Sequence, residues 1–365
     1  MLRMPGAQRD AVKFWEATAS TRWNERAIVL FTQRPAANPQ AAVSRILTYL
    51  SLAQYRAVLA AEAGKVRSMH PSVSAAVGGA SVAVLNAFFP LDVATIEGQL
   101  DADLAAPGWP GEKNDDPAAG ESIGRAVGAE VLALASTDNY FVASPGVPPV
   151  GPGYWVSSPA AIVRGLYGTR PFFLAAANQL RPGPPPAFGS PAFLAALAEI
   201  RAISDTRTAE QLAIAQFYAW GTAPFTAGNL NLIADRMIVD HHRSEREAAR
   251  ILTYANAAAF DAHIACFDAK FTYWFIRPSQ ADPAITVPIP LPNHPSYPSA
   301  HSCITSAFMT VLIDAFPSER SNLEEIITTA GLSRMYAGIH YRFDIEAGRG
   351  IGQGAAALAI AASRK

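Results

Sequence analysis

Apolar residues recur along most of this chain at three- and four-residue spacing, with polar residues between them, the pattern of helices that bury one face. On that spacing helices are expected over residues 8–19, 39–63, 72–86, 93–105, 116–136, 191–203, 209–219, 229–241, 244–276, 302–315, 322–335 and 345–362. β-Branched runs are few and alanine is abundant, which favours helix almost everywhere. The expected fold class is all-α, a helical bundle. One stretch breaks the pattern. Residues 144–190 hold much of the chain's 28 Pro, including Pro-Gly-Pro-Pro-Pro at 182–186, and cannot be regular helix throughout. Such a stretch is either a connector or a wall or lid over a site. We read it as a connector within an N-terminal helical scaffold, 1–205, followed by a helical catalytic region, 206–365, the two forming one continuous domain.

Composition narrows the function. Half of the 365 residues are hydrophobic, enough to bury a sizeable core. A net charge of −1 supplies no field for nucleic acid or an anionic membrane, so any anion site must be built from a few converging cations. The two cysteines, Cys266 and Cys303, cannot form a disulfide framework and read as small buried hydrophobes. Apolar stretches such as 75–89 and 354–362 stop short of the ~18 to 20 residues of a membrane span, so a soluble protein is expected. The first ten residues show no export signal, although a chain whose signal had been removed would look the same, and the compartment stays open.

The chemistry concentrates in three pieces of the last third. In Lys270–Pro278 (KFTYWFIRP), two helical turns would separate Lys270 from Arg277 by ~10 Å on one face, from which both could reach one small anion. Pro278 is expected to end that helix. In His294–Ser302 (HPSYPSAHS), Ser299 and His301 stand where a helix begins, which brings a hydroxyl, free backbone N–H groups and the positive end of the helix dipole to one point. In Ser333–Asp344 (SRMYAGIHYRFD), Asp344 lies four residues after His340, so on a helix its carboxylate can bond one imidazole nitrogen and leave the other free. Arg334 is out of phase with His340 on one continuous helix, and Gly338 offers a break that lets both face one centre.

Together the pieces read K-x6-R-P, 19 residues, P-S-A-H, 31 residues, then S-R-x5-H-x3-D. This resembles the signature shared by type 2 phosphatidic acid phosphatases, bacterial class A acid phosphatases and vanadium-dependent haloperoxidases, with Ala300 where the family usually has Gly. The segments WNER (Trp23–Arg26), FDAHIACFDAKFTYWFIRP, YPSAHS and GIHYRFD look like soluble bacterial members of the haloperoxidase branch. The likeness is good from about Ala209 onward and weak before it.

The resemblance implies a bundle of the haloperoxidase type and a site for a tetrahedral oxyanion, vanadate or phosphate. Lys270, Arg277, Arg334, Ser299 and the Ala300 N–H would hold its oxygens. In the haloperoxidase reading His340 Nε2 is the axial vanadium ligand, Asp344 orients His340, His301 is the acid/base, and Lys270 polarises bound peroxide. The reactants are then hydrogen peroxide, a halide and a small organic acceptor. In the phosphatase reading His340 attacks a phosphoester to give a phosphohistidine, and His301 protonates the leaving alcohol. A non-enzymatic oxyanion binder is a third reading, disfavoured because binding alone does not require His301 and the His340–Asp344 pair. The length of chain before Lys270 leans toward the haloperoxidase. His294 resembles the residue found at this position in bromide-oxidising members, where chloride-oxidising fungal members have Phe. A homo-oligomer fits this branch, and neither nucleic acid nor a membrane span is expected.

Other clusters carry less. Asp240, His241, His242 and Glu245 sit in a highly polar stretch that reads as a solvated helix start rather than a metal site. The run GRGIGQG (Gly348–Gly354) has no preceding strand and no following Lys-Ser/Thr, so close helix packing is its expected use. His263 shares a face with Lys270 and reads as a core histidine.

Overall fold

The computed structural model describes residues 17–34, 40–64, 70–106, 112, 115–140, 146–157, 166–219 and 225–365. Among them are helices α1 (Ala19–Gln33), α2 (Gln40–Ala63), α3 (Val73–Phe88), α4 (Val93–Ala105), α5 (Pro117–Ser136), α6 (Pro191–Thr206), α7 (Ala209–Phe217), α8 (Phe225–Asp240), α9 (Glu245–Tyr273), the short α10 (Pro278–Ala281), α11 (Ala300–Ala315), α12 (Arg320–Tyr336) and α13 (Arg342–Ser363). No strand longer than an isolated bridge occurs among the described residues, and the all-α class is as expected.

Most expected helices fall within a few residues of the observed ones; two expectations need correction. The helix placed over 8–19 lies, up to residue 16, outside the described residues, and 17–18 are not helical. The helix that does form, α1, was not anticipated. Its start signal was nevertheless present: Thr18 is extended and its hydroxyl accepts the Thr21 N–H, capping a segment whose buried face mixes Trp23, Ala27 and Phe31 with Ser20, Arg22 and Asn24. The second correction concerns residues 274–276, taken as helix up to Ile276. The helix ends at Tyr273, and Trp274 turns into the left-handed region with φ 49°.

The chain divides into two compact units. The first comprises Met1–Arg34, Arg45–Thr137 and Asn231–Thr253. Here α3 and α5 approach so closely that a Cβ added at Gly124 would stand 2.0 Å from the Ala76 carbonyl oxygen, a distance only glycine permits. The WNER segment is part of this framework. Trp23 is fully buried, Asn24 donates to Asp235 (2.7 Å), and Arg26 forms a two-pronged pair with Asp103 (2.6 and 2.8 Å). Glu245, weighed above as part of a metal cluster, instead accepts the first N–H groups of α1 from Ala19 and Ser20, where a carboxylate complements the helix dipole.

The second unit comprises Pro35–Ser44, Asp138–Leu230 and Tyr254–Lys365. Its core pairs α11 with α13. A Cβ on Gly348 would come within 2.6 Å of the Ser299 carbonyl oxygen, and one on Gly352 within 2.5 Å of the Cys303 carbonyl oxygen. The GRGIGQG run thus provides close helix packing directly behind Ser299. The proline-rich stretch acts here as a wall. Its Trp155 N–H bonds the Trp274 carbonyl (2.7 Å), its Gly153 carbonyl accepts the Ile276 N–H (3.0 Å), and Asp261 accepts N–H groups from Phe172, Phe173 and Leu174 (2.7, 2.6 and 3.1 Å). Arg181 pairs with Asp268, while Tyr273 and Tyr297 donate their hydroxyls to the carbonyls of Pro182 and Gly183. Extended, proline-interrupted backbone has N–H and C=O groups to spare, and α9 and its continuation absorb them.

Candidate oxyanion site

Lys270, Arg277, His294, Ser299, Ala300, His301, Arg334, His340 and Asp344 all lie in the second unit and are at least nine-tenths buried. Lys270 and Arg277 converge, but not along one helix as expected. Pro278 disfavours helical geometry at the residue before it, and Arg277 is extended (φ −77°, ψ 151°). Rather than ending a helix, Pro278 begins the short α10. The segment 274–276, bridged to Tyr154, carries Arg277 away from the axis of α9. Lys270 Nζ then donates to the carbonyls of Pro295 and Ser296 (2.7 and 2.8 Å), and Arg277 donates through Nε and Nη2 to the carbonyl of His294 (3.1 and 2.9 Å). Both cations therefore fasten the 294–296 loop that leads into Ser299.

The His340–Asp344 pair forms, although His340 is not itself helical. It stands two residues before α13, and Asp344 lies in that helix's first turn. The His340 Nδ1 to Asp344 Oδ2 distance is 2.8 Å, and the same oxygen accepts the Tyr341 N–H (3.1 Å) and the Ser296 hydroxyl (2.6 Å). A carboxylate only accepts, so the His340 proton belongs on Nδ1 and the lone pair on Nε2, where Arg277 Nη1 donates at 3.1 Å. The break at Gly338 is observed, with φ 72° and the helix α12 ending at Tyr336. Arg334, in the last turn of α12, donates Nη2 to the Ala215 carbonyl (3.0 Å) and Nε to the Ser333 hydroxyl (2.9 Å).

Ser299 precedes α11 and makes no side-chain cap; its N–H is taken by the Asp344 carbonyl at 2.9 Å. Ala300 is the first residue of α11, whose opening N–H groups have no acceptor within the helix. His301 Nε2 stands 2.9 Å from the Tyr218 carbonyl and 3.0 Å from the Thr226 hydroxyl. The carbonyl requires the proton on Nε2, leaving Nδ1 with a lone pair. His294 is buried rather than facing solvent, and its Nδ1 stands 3.0 Å from Arg277 Nη2 and 3.1 Å from the Pro295 carbonyl, a donor and an acceptor of which its tautomer serves one.

Burial dominates the electrostatics. It lowers Lys270 to about 8, with Arg277 adding repulsion, and lowers Arg277 to about 10 and Arg334 to about 9. All three remain cationic at neutral pH. The imidazoles of His294, His301 and His340 are held well below their ordinary range by burial first and by the neighbouring cations next, so they are neutral. Asp344 is raised by burial to about 6, against the pull of the Ser296 hydroxyl and Lys270. Three buried positive charges thus face one carboxylate, and two buried donors, Arg334 Nη1 and the Ser299 hydroxyl, have no partner. Buried charge without a counter-charge is costly, and a buried set of cations with unpaired donors is complementary to a small, multiply charged oxyanion.

Sequence reading missed the groups that hold the machinery. Ser296 had a local signal, since it stands within the same HPSYPSAHS segment. Tyr218, Ala215 and Thr226 had none, because two of them act through backbone carbonyls that any residue type supplies.

With this geometry established, comparison with known proteins shows what the chain is similar to. Residues 249–365, which contain every candidate site residue, match the model of the PAP2 superfamily. No curated protein sequence matches the chain. Among solved structures, a bacterial vanadium-dependent iodoperoxidase superposes with TM-score 0.78 at 22% identity, over 94% of this chain and 95% of that one. The apo form of a bacterial vanadium-dependent chloroperoxidase gives 0.71 at 13% identity over 90% and 95%, and a holo form 0.71 at 14% over 90% and 93%. The fold is that of the vanadium haloperoxidases, and the match to the PAP2 superfamily model covers the last third of the chain. No helix among the described residues is long and apolar enough to cross a membrane.

Proposed function

We propose that this protein is a vanadate-dependent haloperoxidase that uses hydrogen peroxide to oxidise a halide, with bromide as the favoured ion, to hypohalous acid. The observation that carries the oxyanion is the set of three buried cations with two unpaired donors around a single carboxylate. The haloperoxidase reading over the phosphatase one is supported by a fold shared across nine-tenths of the chain with vanadium-dependent peroxidases, including the helices before Lys270.

The residues fit vanadate. His340 Nε2 would bind the vanadium, and Lys270, Arg277, Arg334, the Ser299 hydroxyl and the Ala300 N–H would hold the oxygens. Vanadate supplies a Lewis-acidic centre that activates hydrogen peroxide toward halide without changing its own oxidation state. Asp344, fixed by Ser296 and the Tyr341 N–H, keeps the His340 proton on Nδ1 and the lone pair on Nε2, where Arg277 Nη1 occupies it in the anion-free protein. His301 is held through Nε2 by Tyr218, which leaves Nδ1 to accept a proton from incoming peroxide. The negative charge of the oxyanion offsets the cations that hold His301 below its ordinary pKa and so improves it as a base. His294 braces Arg277. Its replacement by Phe would remove that brace, which is why halide use is expected to respond to it.

The test is direct. Metal-free protein is assayed with and without orthovanadate for peroxide-dependent halogenation of a phenol dye with iodide, bromide or chloride, and in parallel for hydrolysis of an aryl phosphate. Vanadate-dependent halogenation with poor phosphatase turnover is expected. Phosphatase activity that vanadate inhibits, without halogenation, sinks the proposal in favour of the phosphohistidine route, and oxyanion binding without either activity leaves a binding protein.

A further inference from the structure

Cys266 and Cys303 were read from the sequence as small buried hydrophobes, and both are fully buried. Their surroundings are nevertheless polar. Cys266 lies on α9 one turn before Lys270, and its Sγ donates to the carbonyl of Pro298, the residue before Ser299, at 3.7 Å. Cys303 lies in the first turn of α11, where its N–H bonds the Ser299 carbonyl (3.1 Å) and α13 packs on its backbone at Gly348 and Gly352. The two side chains meet, each thiol being within hydrogen-bonding reach of the other. The pair also adjoins the oxyanion site, since the charges of Lys270, Arg277 and Asp344 act on Cys266 and that of Lys270 acts on Cys303.

We propose that Cys266 and Cys303 form a reactive dithiol that hydrogen peroxide oxidises to a disulfide joining α9 to α11. The two thiols are unequal. Burial disfavours the thiolate at both, yet at Cys266 the Cys303 S–H and the Lys270 charge outweigh it and bring that thiol below its ordinary range, while burial and the Cys266 neighbour push Cys303 well up. Cys266 is therefore the nucleophile and Cys303 the resolving thiol. The Cys266 sulfur attacks one peroxide oxygen, so that an S–O bond forms, the O–O bond breaks, and the second oxygen leaves with the thiol proton as water. The Cys303 sulfur then attacks the sulfenic sulfur, forming S–S and breaking S–O, and the hydroxyl leaves with the Cys303 proton as water. Two thiols thus lose two electrons and one peroxide becomes two waters. The step does not depend on which reaction the site performs; in the haloperoxidase reading peroxide is also the site's own reactant. Closing the bond brings the sulfurs to about 2.05 Å and takes the donor from the Pro298 carbonyl, which moves both ends of the segment that carries Ser299 and Ala300. Oxidation is thereby expected to weaken the hold on the anion.

The chain has only two cysteines, so a disulfide within one chain is unambiguous. Reduced, full-length protein is treated with a small excess of hydrogen peroxide without vanadate or halide, unfolded in an alkylating reagent and mapped by peptide mass, with sulfate affinity measured by calorimetry before and after. The expected result is a Cys266–Cys303 cross-link, a fall in sulfate affinity of roughly three- to tenfold, equivalent to about one hydrogen bond, and recovery of both with dithiothreitol. Cys303→Ser should stop the reaction at a Cys266 sulfenic acid that dimedone captures, and Cys266→Ser should leave Cys303 a thiol. The measurement on the parent protein stands even where a variant fails to fold. Thiols that stay intact or are oxidised without joining, oxidation of Cys303 in Cys266→Ser, or a cross-link that leaves sulfate affinity unchanged would overturn the proposal. None of these readouts needs turnover, so failure of the haloperoxidase reading registers separately in the halogenation assay.

Discussion

Replacing Arg334 by Met should make the anion-free protein more stable and the site useless. Arg334 is fully buried, and burial brings its guanidinium from 12.5 to about 9. At about 1.4 kcal/mol per tenfold change in proton affinity, keeping it charged at pH 7 opposes folding by about 5 kcal/mol. Met fills a similar volume without charge, so that penalty vanishes. Against it stands the loss of the bonds to the Ala215 carbonyl and the Ser333 hydroxyl, charged hydrogen bonds of about 1.5 kcal/mol or more each. The difference is a net gain of about 2 kcal/mol, in the range seen when buried ion groups are replaced by packed apolar ones. The same substitution removes Nη1, the unpaired donor, and with it a charge-assisted contact to the anion of about 2–3 kcal/mol, or roughly 30- to 150-fold in affinity. Urea unfolding without anion measures the first effect. Sulfate, which does not titrate in this range, measures the second by calorimetry. A variant that is less stable by more than ~1 kcal/mol, or that binds sulfate as well as the parent, would show that Arg334 is a structural residue and that the surplus of positive charge is not aimed at an anion.

Three other outcomes follow from the site and the fold. Folded Lys270 releases its proton near pH 8 and an unfolded lysine near 10.5, so the unfolded chain binds more protons between those values. Stability of the anion-free protein should therefore rise with pH there, while sulfate affinity falls through about pH 8, and Lys270→Arg should move that fall upward. Ser296→Ala removes the 2.6 Å donor that favours ionised Asp344 and should raise its pKa further and lower turnover about tenfold, with the pH optimum displaced upward; an unchanged pH profile would contradict the role of Ser296. Gly124→Ala should lower the urea midpoint by an amount equivalent to about 2 kcal/mol or more without changing sulfate affinity, because the new methyl group meets the Ala76 carbonyl.

How much of this was legible in the sequence depends on whether a feature is local. Helices announce themselves through apolar spacing, so α9, α11, α12 and α13 were expected close to where they lie, and α1 was missed because its buried face includes Ser20, Thr21, Arg22 and Asn24 among the apolar residues. The constellation of Lys270, Arg277, Ser299, His301, Arg334, His340 and Asp344 was visible as residue types in a fixed spacing, which is enough to foresee a polycationic anion site. The route by which Lys270 and Arg277 converge was not. A same-face helix predicts it from spacing, yet Pro278 and the left-handed Trp274 end the helix first, and the proline-rich wall at Gly153–Trp155 holds the released strand in place.

The sequence by itself determined the class: helical throughout, near neutral as a whole, and equipped with an ordered set of cations, imidazoles and one carboxylate whose chemistry suits a tetrahedral oxyanion. Only the tertiary structure decided which of those groups are already satisfied and which are not. Hydrogen-bond partners such as the carbonyls of Ala215, Tyr218, His294 and Ile339 carry no signature of residue type, yet they hold Arg334 and Arg277 in place, and that of Tyr218 puts the His301 proton on Nε2. Burial, a property of the packed chain alone, turns three ordinary cations into an unneutralised cluster and leaves Arg334 Nη1, the Ser299 hydroxyl and His263 Nδ1 without partners. Spacing along a chain records which groups are present, whereas desolvation and pairing, which set what those groups will bind, exist only once the helices have packed.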